Sequence, residues 1–369
     1  DNLNAAFTSN FDVINVVMPI GISFYTFQAI SYVIDVYRRE VPVQKDVYKL
    51  ALYICLFPQL IAGPIVKYYT VADQIESRTL TFDKVSYGVK RFIIGLAKKM
   101  LLANTMGAVA DSIFSQPVTA FDTPTAWLGA VAYSLQLFYD FSGYSDMAIG
   151  LGSMFGFKFL ENFNYPYISK SITEFWRRWH ISLSTWFKEY LYIPLGGNRV
   201  APWRMYANLF IVFLATGIWH GASWTFIVWG LFHGAFIIFE KATGWHKKEG
   251  GVGLSALQHV YCILAFVIGW VFFRADNLPY ALDYLKNMFG LIQSHNIAYT
   301  AAYYVDNIKI ISLAAALLCA MPLFTKMLEV NDKHKIAKSL INIWLMLLFI
   351  LSASSIASST YNPFIYFRF

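Results

Sequence analysis

The sequence predicts an all-α, polytopic membrane protein, and three observations carry that expectation. Of 369 residues, 57% are hydrophobic and only 14% charged, at a mean hydropathy of +0.47. A water-soluble globular chain holds about 25% charged residues, so too few charges are present to coat a water-facing surface. Uncharged runs recur at lengths that suit a bilayer, which takes about 20 apolar helical residues per span. Basic residues fall in the short stretches between those runs, at Arg38, Arg39, Lys45 and Lys49, at Lys98 and Lys99, at Arg177 and Arg178, at Lys247 and Lys248, and at Lys333, Lys335 and Lys338. Cytoplasmic loops carry this excess beside an anionic inner leaflet. The net charge of +7 therefore reads as membrane anchoring, not as a nucleic-acid footprint.

Taken in order, residues 13–34 fit one span, bent at Pro19 and Gly21. Residues 50–66 are uncharged but broken by Pro58, Gly63 and Pro64, which suits a re-entrant hairpin buried against protein. Over 84–113, Val89, Phe92, Ile93, Leu96 and Met100 repeat at helical spacing, with Lys84, Arg91 and Lys98 on a separate face. That pattern predicts an amphipathic helix that lies along the membrane interface or dips in at one end. A long span follows over 125–157, interrupted by the polar patch Asp140 to Asp146. Ser171 and Glu174 have capping-box spacing and open a further helix. Its apolar stripe is Trp176, Trp179, Leu183, Trp186 and Tyr190, and Pro194 with Gly196 and Gly197 end it. It reads as interfacial, with tryptophans at headgroup depth. Residues 206–239 carry no charge; as one helix they would reach about 51 Å, against a hydrocarbon core of about 30 Å. A break is expected at 216–223. Spans at 256–273, 307–325 and 339–359 bring the total to roughly eight to ten spanning, re-entrant or interfacial segments. No linker or repeat divides the chain, so residues 1–369 read as one membrane domain. It begins at Asp1 rather than Met, which suggests that further N-terminal spans precede it.

Polar residues within membrane segments are costly and draw attention to function. His220 lies near the middle of the longest uncharged run, with Gly217 and Gly221 beside it. Imidazole is the side chain that titrates nearest neutral pH, so His220 is a candidate general base; the alternative is a core histidine bonded across a helix interface. His233, thirteen residues on, would point about 220° away on an unbroken helix and reads as structural. His180 sits between the stripes of the tryptophan-rich helix, while His246, His259, His295 and His334 fall in or beside polar loops. Asp140 and Asp146 are candidates for an ion path, for orienting a histidine, or for pairing helices. Arg177, Arg178 and Lys188 could clamp a phosphorylated donor or merely anchor the loop. Cys55, Cys262 and Cys319 stand at no metal-ligand or pairing interval, so neither a disulfide framework nor a zinc site is expected. Nucleophile-elbow, H-E-x-x-H, Walker and Rossmann signatures are missing.

Several blocks together resemble the bacterial branch of the membrane-bound O-acyltransferases, specifically its polysaccharide O-acetylation members. They are PIGISFYTFQ at 19–28, FPQLIAGP at 57–64, YDFSGYSD at 139–146, WRRWHISLSTW at 176–186, YIPLGGNR at 192–199, GIWHGA at 217–222 and NPFIYF at 362–367. The resemblance implies a tunnel through the membrane around two catalytic positions, His220 as general base and His180 as its partner. It also implies a cytoplasmic thioester donor, acetyl-coenzyme A, and a polysaccharide hydroxyl acceptor on the far side of the bacterial inner membrane. No metal is called for, and a periplasmic or extracellular protein could relay the acetyl group. Donor contacts would come from Trp176, Arg177, Arg178, Trp179, Trp219 and Asp140. The alternative within the family is D-alanyl transfer to teichoic acid from a carrier protein. Outside it, a transporter or channel would use Asp140 and Asp146.

Overall fold

The computed structural model describes residues 21–60, 63–292, 297, 299–323, 335–358 and 361, and it is helical throughout, without a strand among the described residues. Residues 13–20 of the predicted 13–34 span, and the terminal block from 362, lie outside them. Helix α1 runs Ile22–Tyr37 behind Gly21, whose φ of 80° is open to glycine at little cost. It buries Phe24, Gln28, Ser31, Tyr32 and Asp35 on one face. The expected hairpin region forms α2, Val47–Cys55, and a single turn at Phe57–Leu60. Asp46 caps α2 by accepting the amides of Tyr48 and Lys49. Helix α3 follows over Tyr68–Glu76.

The next two helices revise the sequence reading. Helix α4 is continuous over Phe82–Phe114, 33 residues long and apolar enough to cross a membrane. Helix α5, Thr123–Met154, passes unbroken through the polar patch. They pack antiparallel at glycines. A Cβ on Gly95 would meet the Gly143 carbonyl at 2.5 Å, and one on Gly88 would meet the Gly150 carbonyl at 2.5 Å. Small residues let backbones approach this closely, as membrane helix pairs require. Two members of the basic face of α4, Arg91 and Lys98, turn to α5, while Lys84 donates to the Thr79 carbonyl in the preceding loop. Arg91 and Lys98 both pair with Asp146, at 2.7 and 2.6 Å, and Lys99 pairs with Asp140 at 2.5 Å. Consecutive lysines on a regular helix point 100° apart. A π-helical stretch at Lys98–Ala103 lets both reach acids on the same neighbour.

The tryptophan-rich segment is also not one helix. Ser171 caps α6, Ile172–Arg178, through the Glu174 amide as its spacing predicts. The chain then turns at His180, and α7 resumes over Ile181–Phe187 before a π turn at Lys188–Tyr192. Trp176, Trp179 and Trp186 are buried in protein rather than standing at headgroup depth. Helices α8, Pro202–His220, and α9, Trp224–Thr243, form the hairpin expected from the long uncharged run, broken at 221–223. They too meet at glycine: a Cβ on Gly230 would lie 2.4 Å from the Phe213 carbonyl. Helices α10, Val252–Arg274, α11, Leu278–Met288, α12, Asn307–Cys319, and α13, Lys335–Ser358, complete the described chain.

Four helices are long and apolar enough to span a membrane among the described residues: α4, α9, α10 and α13. Large apolar side chains stand exposed along α10, α12 and α13, such as Val260, Ile263, Ile311, Leu318, Leu340 and Leu347. A surface of this kind is stable in lipid and not in water. The three cysteines are unpaired: Cys55 is exposed, Cys319 half-buried and Cys262 buried.

Candidate active site

The chamber is built where α5, α6, α7, α8, α9 and α10 converge. His180 is its most constrained member. Its φ of 42° lies in the left-handed region, where a non-glycine residue is uncommon and persists only if the surroundings hold it. Asn162 supplies that hold. Its carbonyl accepts the Ile181 amide at 2.9 Å. Its side-chain oxygen accepts the amide and hydroxyl of Ser182, at 3.1 and 2.9 Å, and its side-chain nitrogen donates to Ser145 on α5. The Asn164 amide also donates to the Arg178 carbonyl at the end of α6. Asn162 is fully buried. Sequence reasoning missed it because a lone asparagine in a loop has no periodic or motif signal.

The turn places the His180 ring edge-on to Phe141 at 4.5 Å, with Phe24 of α1 on another side at 6.2 Å. His180 is 2% exposed, and its Nε2 has no hydrogen-bond partner among the described residues. Most buried polar side-chain atoms are paired, so an orphaned imidazole nitrogen facing a cavity is suited to a ligand. His220 arrives from the last residue of α8, just before the break at Gly221, and is half-buried. The rings of Trp229 and Phe273 stand edge-on to it, each at 5.0 Å. Such edge-to-face contacts fix a ring's orientation as well as its burial.

His180 and His220, forty residues apart in sequence, line the same small cavity of about 20 Å³, together with Trp176, Trp179, Leu183, Trp229, Phe141, Trp270 and Phe273. A larger cavity of about 340 Å³ adjoins it. Arg177 and Lys188 are exposed members of its lining, Lys241 is half-buried, and Leu183, Leu209, Phe213 and Ile237 form its apolar interior. Trp176 and Leu183 belong to both linings.

Not every expected site residue is here. Trp176, Trp179 and Arg177 line one or both cavities. Arg178 does not; it is bound to Glu174 at 2.9 Å and donates to the Asn164 carbonyl. Asp140 does not line either cavity and pairs with Lys99 instead of orienting a histidine. Trp219 also lies outside both linings and turns to α1, stacking on Phe27 at 5.3 Å. His233 is fully buried among Trp176, Trp229 and Phe175, off the shared cavity, as the sequence reading held. Glu240 is a second residue that the sequence did not mark. Its buried carboxylate accepts the amides of Ile172 and Thr173, at 2.6 and 2.8 Å, and so anchors the start of α6 to α9.

The family model for membrane-bound O-acyltransferases matches residues 42–273, which include every residue of the chamber. The chain belongs to this family. A probable alginate O-acetylase of Pseudomonas putida is 42% identical over 392 residues, covering 100% of this chain and 79% of the relative. A peptidoglycan O-acetyltransferase of Helicobacter pylori is 36% identical, covering 88% of this chain and 67% of the relative. A teichoic acid D-alanyltransferase of Bacillus subtilis is more distant, 32% identical over 63% of this chain and 62% of the relative. As a membrane-bound O-acyltransferase the protein is an enzyme, and its apolar helices fit a multi-pass membrane protein. The expectation drawn from the motif blocks is met at this level.

Proposed function

We propose that the protein moves an acetyl group from a thioester donor to hydroxyl groups of an exported or cell-wall polysaccharide, with His220 as general base. The observation that carries this reading is the shared chamber. Two histidines from distant helices meet in one confined, mostly aromatic space, inside the region that matches an acyltransferase family. The O-acetylating relatives span more of the chain, at higher identity, than the D-alanyl transferase does.

The chemistry follows from the acceptor. An alcohol is a poor nucleophile at neutral pH, and attack on a thioester carbonyl needs a base in place. His220 accepts the hydroxyl proton as the new C–O bond forms, which contributes on the order of 10²–10⁴ in rate. The C–S bond breaks, and the thiolate takes that proton back from His220, leaving ester and thiol. His180, held in place by Asn162, steadies His220 or the developing charge on the carbonyl oxygen. The proposed route is direct transfer, within a complex of donor, acceptor and enzyme; an acyl-enzyme is the alternative where acetyl is passed to a relay protein.

Acetyl-coenzyme A is the proposed donor. The larger cavity fits its chemical character: exposed Arg177 and Lys188, with Lys241, suit phosphate groups, and the apolar interior suits the uncharged arm. The proposed setting is the bacterial inner membrane, with the donor inside, the polysaccharide outside and a tunnel between them.

Protein purified in detergent, given acetyl-coenzyme A labelled in the acetyl group and unmodified alginate, tests the reading. Acetylated polymer with stoichiometric thiol release is expected. Transfer from a D-alanyl carrier protein, with none from acetyl-coenzyme A, would replace acetylation with the alternative in the family. Thiol release without polymer labelling, with the label found as free acetate or on the enzyme, would show that alginate is not the direct acceptor.

A further inference from the structure

The two cavities do not merely lie near each other. Trp176, one turn before the His180 kink, and Leu183, three residues after it, line both. The same backbone turn that presents His180 to the chamber therefore sets a partition between the chamber and the larger, basic-mouthed cavity. Both side chains are buried, Leu183 at 2% exposure and Trp176 at 8%. Leu183 is tethered through Ser182, whose hydroxyl accepts the Ile65 amide at 3.0 Å and donates to Asn162. Trp176 is wedged edge-on against Trp229 and Phe213, each at 5.7 Å. Neither can swing aside without disturbing a packed neighbour.

Size then matters. The histidine chamber offers about 20 Å³, and one water-sized group needs about 10–15 Å³ on this measure. The larger cavity offers about 340 Å³. Space for part of a donor's body thus lies on one side of the partition, and space for the transferred group is scarce on the other.

We propose that Trp176 and Leu183 form a partition that limits the transferred acyl group to two carbons. The inference rests on the acyl-transfer reading above and adds the determinant of acyl length. The donor lies in the larger cavity with its thioester at the partition. Only the carbonyl and a methyl pass into the histidine chamber. There the C–S bond is broken and the C–O bond formed, and the donor leaves as a free thiol on the side it entered. A butyryl chain would have to occupy volume that Leu183 fills. Trp176 contributes a second feature. Its indole N–H is buried and has no hydrogen-bond partner among the described residues, so a donor in the partition is approached by at least one unsatisfied donor group in the wall.

The test compares kcat/KM for acetyl-, propionyl- and butyryl-coenzyme A, read as thiol release with alginate present, in wild type, Leu183→Ala and Leu183→Val. Melting temperature is recorded for each. Wild type is expected to prefer acetyl by about tenfold or more per added methylene, the discrimination an apolar pocket achieves. Leu183→Ala should raise the butyryl-to-acetyl ratio by about tenfold or more, and Leu183→Val should raise the propionyl ratio by a smaller factor. If Leu183→Ala melts too low to assay, the Leu183→Val ratio decides. Unchanged ratios in folded variants that still turn over acetyl overturn the partition and leave the acetyltransferase reading standing. A wild type that takes butyryl as readily as acetyl overturns it in the same way. A wild type that uses no coenzyme A thioester at all overturns the donor proposed above, and the partition with it.

Discussion

Two regions of this protein bury polar side chains and treat them in opposite ways. Along the α4–α5 seam, Arg91, Lys98 and Lys99 face Asp140 and Asp146, and every one of these five charges has an ionic partner. In the chamber, His180 Nε2 and the indole nitrogens of Trp176 and Trp229 are buried without a hydrogen-bond partner among the described residues. Burying an unpaired charge is prohibitive, whereas burying an unpaired imidazole or indole nitrogen costs about 1–3 kcal/mol. The seam is therefore a structural joint in which removing one member strands the others. The chamber keeps its polar atoms available at a tolerable cost in stability, as functional sites commonly do.

The comparison makes graded predictions. The largest effect belongs to the chamber. His220→Ala should lower kcat/KM by about 10²–10⁴ with little change in melting temperature, since it removes the proton acceptor and only a half-buried ring. A variant that keeps wild-type turnover would remove His220 from the mechanism.

The seam should give the reverse signature. Asp146→Ala leaves Arg91 and Lys98 facing each other, Arg91 retaining Glu161 at 2.6 Å. Loss of a buried partner costs about 3–5 kcal/mol, and the two cations are about a quarter exposed, so about 2–3 kcal/mol is expected here. Thermal melting in detergent reads it, and full stability would mean that the seam is dispensable.

Asn162→Ala tests the link between the two regions, because Asn162 ties Ser145 of the seam helix to the His180 turn. About 1–2 kcal/mol of stability should be lost with its hydrogen bonds. The fall in kcat should exceed that in Asn162→Asp, which keeps the acceptor for Ser182. Equal kcat in both variants would mean that the turn does not position His180.

His233→Leu should have the smallest effect. Both ring nitrogens lack partners among the described residues, and the side chain is off the chamber. A change within about 1.5 kcal/mol is expected, with turnover preserved. Lost turnover at an unchanged melting temperature would place His233 in the chemistry.

Much of the site was legible in the sequence, and for local reasons. The length of the uncharged run at 206–239 forces a break, and GIWHGA is where glycines permit one; α8 does end at His220. Ser171 with Glu174 marks the start of α6 by short-range capping alone. The tryptophan helix misled because its periodicity continues across His180 while its backbone does not. Apolar stripes on α6 and α7 look like one face of one helix, yet the left-handed residue between them depends on Asn162, which is eighteen residues away. The basic face of α4 misled for a related reason. Charge spacing shows that a face exists, but headgroups and acids on a neighbouring helix are equally good partners for it.

By itself, the sequence determined what depends on composition and near neighbours: an all-helical chain for lipid, a break within 216–223, the Ser171 cap, and membership of the acyltransferase family through its motif blocks. The tertiary structure put His180 and His220, which the resemblance only implied as partners, in one lining, and it alone decided that Trp176 and Leu183 border both cavities and that Asp140 belongs to a lysine rather than to a histidine. The physical reason is range. Propensity, capping and hydrophobic period act over a few residues, whereas these pairings are made by packing between helices far apart in sequence, where shape and desolvation choose the partner.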